Sequence, residues 1–113
     1  MFEIRLLQAV KKHLTLLQFL EVEPPVFLMV SLLGVKGYQI NRGASSINYR
    51  SNSTEEIDRA NLIMPEVMID TFDSSNDHIT EVMRPIFDTT WNAANHPSSP
   101  NYNEDGKYAR GWN

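Results

Sequence analysis

The chain has 113 residues and a mass of 13.0 kDa, is 42% hydrophobic and 21% charged, contains no cysteine and carries a formal net charge of −4. That length makes one ordinary domain, able to bury roughly two-thirds of the surface its unfolded chain exposes. The missing cysteine excludes disulfides, thiolate metal sites and cysteine nucleophiles, and a sequence pI of about 5.2 argues against a whole-surface nucleic-acid binder.

Residues 2–20 read as an amphipathic helix. Leu7, Val10, Leu14 and Leu17 keep the three-to-four spacing of one face, Leu6 and Leu20 widen the stripe, and 11 of the 19 residues are apolar. The pattern starts with no cap sequence ahead of it, as expected of a chain entered in the middle of something larger. Pro24 and Pro25 stop the helix. Residues 26–33 (VFLMVSLL) are almost continuously apolar and read as a central strand covered on both faces. This stretch is too short to span a membrane, which takes about 20 residues, and the opening turn, with Glu3 and Arg5, does not read as a signal peptide. A cytoplasmic protein is therefore expected.

Gly34 and Gly37 bracket Lys36 and predict a bulge or tight reversal into Tyr38. Residues 41–54 are polar and read as a loop or extended hairpin, with Ile47 and Tyr49 as a weak edge strand. A second strand is expected over residues 62–72. Val67, Ile69 and Thr71 face one way and Glu66, Met68 and Asp70 the other, with Pro65 demanding an edge or a bulge. Asp73–Asp77 supplies turn and cap residues. Helical spacing then runs from Ile79 to Ala94, with Pro85 expected to kink the helix or start a new one near Arg84. The expected fold class is α+β: a small, mostly antiparallel sheet with an N-terminal and a C-terminal helix packed on it. Residues 1–97 form the domain, and residues 98–113 a polar tail anchored by Tyr102, Tyr108 and Trp112, either disordered or laid across a partner.

Charge is unevenly distributed. Residues 1–50 carry six basic and three acidic side chains, residues 54–88 two basic and nine acidic. A basic face for a phosphate-bearing partner and mutual pairing of the two halves both fit this pattern. Lys11, Lys12, Lys36, Arg42 and Arg50, with Tyr38 and Tyr49 interleaved, are the candidates for nucleic acid. His13, His78 and His96 lack metal-ligand spacing, so no metal and no cofactor is assigned. Glu66 and Asp70 form the best carboxylate pair for a hydrated Mg²⁺, without the lysine a nuclease would add. Neither a phosphate loop around Gly34–Gly37 nor a nucleophile elbow around Ser45–Ser46 is present.

Four blocks in order, SLLGVKGY at 31–38, IDRANLIMPEVMI at 57–69, RPIFDTTWNAA at 84–94 and NYNEDG at 101–106, resemble the C-terminal region of bacterial Schlafen-like (AlbA-type) proteins, described as DNA-binding or ATP-binding. The likeness covers residues 24–108. It implies that nucleotide or nucleic-acid chemistry belongs to a separate AlbA-type domain, and it transfers no catalytic residue to this chain. A stand-alone form of the C-terminal domain and a piece of a larger protein both agree with it. The function expected is a non-enzymatic accessory or oligomerisation domain, docking a sister AlbA-type domain or a second copy through Leu7, Val10, Leu14 and Leu17 and the three tail aromatics. A nucleic-acid-binding module is the alternative, and a metal-dependent nuclease the third.

Overall fold

A computed structural model describes residues 2–38 and 56–112. Among them the order is α1 (Phe2–Phe19), β1 (Val26–Leu28), β2 (Ser31–Leu33), β3 (Asn61–Ile63), β4 (Val67–Ile69) and α2 (Asn76–Ala93). The fold is α+β, with antiparallel strand pairs between the two helices in sequence.

The helix α1 forms on its apolar stripe and ends on a backbone motif. Glu21 takes a left-handed φ of 60°, Val22 N–H donates to the Leu17 carbonyl (3.0 Å) and Glu21 N–H to that of Gln18 (3.1 Å). Those paired bonds satisfy carbonyls that the last turn leaves open.

The strands form two antiparallel pairs, β1–β4 and β2–β3, in register Val26↔Ile69 and Ser31↔Ile63. Between the pairs, Met29 and Val30 face Met64, Pro65 and Glu66, and Met64 N–H donates to the Val30 carbonyl (3.0 Å). One strand therefore carries one extra residue. Pro65 sits in this bulge, where its missing N–H costs no ladder bond. Beyond β2 the pairing continues through Val35 N–H to the Ala60 carbonyl (2.8 Å) and Gly37 N–H to that of Ile57 (2.9 Å). Gly34 (φ 67°) and Gly37 (φ 86°) supply the left-handed backbone of the turn expected there.

Along residues 26–33 exposure alternates strictly. Val26, Leu28, Val30 and Leu32 turn inward, while Phe27, Met29, Ser31 and Leu33 face outward. This corrects the expectation of a strand covered on both faces: among the described residues only the inner face is covered. On the facing strand Leu62, Met64, Val67 and Ile69 point inward and Glu66, Met68 and Asp70 outward, as the spacing predicts, although Thr71 is exposed.

Ser75 caps α2, its hydroxyl accepting from His78 N–H (3.4 Å). Asp73 in turn accepts from Ser75 N–H (2.9 Å), and that bond holds the Asp73 carboxyl below its ordinary range. Pro85 neither breaks nor restarts the helix, which runs unbroken from Asn76 to Ala93. Pro85 and Glu81 are both exposed, so water can reach the carbonyl that Pro85 cannot serve. Meanwhile Ile79, Met83, Ile86, Phe87, Thr90 and Trp91 keep one buried face continuous across it.

The core joins that face to Leu7, Val10 and Leu14 of α1, to Leu62, Met64 and Ile69 of the strands, and to Trp112. The C-terminal stretch is thus folded onto its own domain rather than left free for a partner. Gln8 Nε2 donates to the Trp112 carbonyl (3.0 Å), Tyr102 pairs with Tyr108 in a β-bridge, and Tyr102 OH donates to the Thr80 carbonyl.

Candidate interaction surface

The residues expected to dock a partner hold this chain together instead. Leu7, Val10 and Leu14 are at most 6% exposed, and Leu17 is half-buried. Tyr102 and Tyr108 are half-buried in ring contact (5.1 Å), and Trp112 is buried. Their role as an external interface is corrected on that ground: two helices, a sheet face and the tail together supply enough surface to enclose the α1 stripe.

Beside them lies a buried carboxylate. Glu3 is 2% exposed; it accepts from Trp91 Nε1 (2.8 Å), Ser99 Oγ (2.9 Å), Asn101 Nδ2 (2.9 Å) and Tyr108 OH (2.7 Å). Four neutral donors replace the water that the carboxylate loses on burial. The first turn of α1 is thereby tied to the end of α2 and to the tail. Burial, together with the negative charge of Glu3, raises the ionisation of Tyr102 and Tyr108 well above the ordinary phenol range.

The apolar surface that remains open lies elsewhere. Phe27, Met29, Leu33, Ile63 and Met68 are 54–75% exposed on the outer face of the strands, and Phe27 stands opposite Met68 across the β1–β4 pair. Leu16, Phe19 and Leu20 are exposed at the end of α1. An apolar groove of about 450 Å³ runs between α1 and residues 26–31, lined by Leu6, Val10, Leu14, Leu17, Val26 and Leu28 among others. Isolated exposed apolar side chains are ordinary; a cross-strand set of five large ones is not.

Among the described residues, the basic candidates do not assemble into one site. Lys11 is engaged internally, donating to Asn76 Oδ1 (3.0 Å) with its ammonium 5.5 Å from the Trp112 ring. Together with Arg5 and Lys12 it lines an open depression of about 870 Å³. Lys36 and Tyr38 are exposed on another element, the turn after β2. There Asp58, held below the usual carboxylate range chiefly by its bond from Arg59, lies within the field of Lys36. Arg42, Arg50, Ile47, Tyr49 and the serines at 45 and 46 lie outside the described residues. Glu66 and Asp70 flank β4, both exposed, and among the described residues no three histidine or carboxylate side chains converge as metal ligands.

Sequence reasoning missed two features for two reasons. Glu3 continues the 3–7–10–14 series of the buried stripe, a spacing that marks it as buried despite its charge. The outer face was hidden because apolar residues on both sides of a strand erase the alternation that would reveal it.

No helix among the described residues is long and apolar enough to cross a membrane. Comparison with protein-family models, with curated proteins and with solved structures finds no match to this chain.

Proposed function

We propose that this chain is a non-enzymatic accessory or oligomerisation domain of a cytoplasmic, bacterial Schlafen-like (AlbA-type) system, docking a sister domain or a second copy. The observation carrying this reading is the bare outer face built by Phe27, Met29, Leu33, Ile63 and Met68. The four resembling blocks favour a framework over a catalytic centre. Residues 31–37 pair with residues 57–63, while Arg84 of the third block stacks on Tyr102 of the fourth at 4.9 Å.

The test is the mass in solution, by light scattering after size exclusion, of the chain alone and mixed with an AlbA-type domain. Wild type should exceed 13.0 kDa in one of these arms, and Phe27→Asp/Leu33→Asp should return to the monomer with an unchanged circular dichroism spectrum. Wild type at monomer mass in both arms contradicts the reading.

One observation favours a second reading, a nucleic-acid-binding module: Arg5, Lys11 and Lys12 share one depression. Binding of a labelled oligonucleotide that weakens steeply with salt and is lost in Arg5→Glu/Lys12→Glu would support it. No shift at low salt would remove it.

A further inference from the structure

We infer that the open edge of residues 26–33 pairs with the same edge of a second copy, antiparallel about a twofold axis at Val30, joining the two strand pairs into one wider sheet. This rests on the interaction-domain reading and names its surface and partner.

The two edges of the strand pairs differ in character. Among the described residues β1 pairs only with β4 and β2 only with β3, so each strand has an edge without a strand partner. The β3–β4 side carries Pro65 in a bulge, with Glu66 and Asp70 exposed, the devices that keep an edge from recruiting another strand. Residues 26–35 carry no charge and no proline. Among the described residues, one edge is guarded and the other is left open.

Register follows from backbone direction and side-chain parity. The Val30 carbonyl accepts from Met64 N–H, so Val30 directs its polar backbone groups toward its own partner strand. The backbone groups of Met29 and Ser31 then point to the free edge. Directly opposed residues in an antiparallel pair put their side chains on one face. Inward residues must therefore meet inward residues, which restricts the axis to a residue position. An axis at Val30 sets Leu28 opposite Leu32, Phe27 opposite Leu33 and Met29 opposite Ser31. Shifting it to Met29 would bring Pro25 against Leu33 and spoil the ladder.

Charge at the two ends fits the same arrangement. Glu21 and Glu23 precede the strand and Lys36 follows it. Antiparallel pairing brings the acidic start of each copy beside the basic end of the other, whereas parallel pairing would set like beside like. Two copies that each carry −4 meet along residues 26–35, a stretch without charge. The added strand turns its inward side chains toward the same side as Val26 and Leu28, which line the apolar groove against α1.

A chain without cysteine permits a clean test. Val30 would face its own counterpart as a non-hydrogen-bonded pair, with Cα atoms about 4.5 Å apart, inside the range a disulfide accepts. Val30→Cys under mild oxidation should give a disulfide-linked species of twice the 13.0 kDa mass. Met68→Cys, on the outer face of the other strand, should give none. If Val30→Cys fails to fold by circular dichroism, a mixture of Leu28→Cys and Leu32→Cys chains should form the mixed dimer. Equal linkage through Met68→Cys means that the sheets pack face to face and overturns the edge pairing. No linkage at any of these positions also overturns it. In that case, binding to an AlbA-type domain in the mass measurement leaves the interaction reading standing, and no binding removes both.

Discussion

Glu3 shows how one side chain sets the closure of the domain. A buried carboxylate without a cation is tolerable only while donors surround it, and Trp91, Ser99, Asn101 and Tyr108 supply four. Truncation in Glu3→Ala strands those donors, and breaking such a network is expected to cost about 3–5 kcal/mol, measurable as a lowered urea midpoint. Glu3→Gln keeps one acceptor oxygen and should lose less. The tyrosines add a pH signature. Their ionisation is raised by folding above the ordinary value of 10.0, so their contribution is complete below that pH and falls as alkalinity rises beyond it, because the unfolded chain loses the phenolic protons first. Thermal unfolding should therefore drop in midpoint above about pH 10, and Tyr108→Phe should reduce that drop. An equal drop in the variant would contradict the assignment.

At the scale of elements, the α1 stripe belongs to the core and not to an interface. Leu14 is 2% exposed among apolar neighbours, so Leu14→Asp should unfold the chain instead of separating subunits. The expected result is loss of the cooperative thermal transition, whereas a folded monomer would restore the stripe as a docking surface. Both helices, the capping residues at 73–77, the bulge at Pro65 and the glycine turn at 34–37 were legible, because each depends on local spacing or on a backbone property of one residue. No new helix starts at Pro85, since the rule for proline concerns the helix alone, while the continuous buried face of α2 is covered by α1 and the strands. The tail was misread for a related reason. Its polar composition suggested no fold of its own, yet Ser99 and Asn101 are polar because they must reach Glu3, about a hundred positions away in sequence, across the closed domain.

For the whole molecule, the distribution of apolar surface decides the functional account. The sequence points to the α1 stripe and the tail aromatics as the docking surface, whereas the exposed apolar residues lie on the outer strand face and the uncharged edge of residues 26–33. Both lie on the paired strands, and the edge of residues 26–33 is the part that a second copy would cover. Backbone amide exchange resolved by residue and recorded at high and low protein concentration tests this most directly. Pairing at the free edge should slow exchange at Met29 and Ser31 as concentration rises, with the amides of α2 unchanged. Exchange at Met29 and Ser31 that is equally fast at every concentration would contradict it.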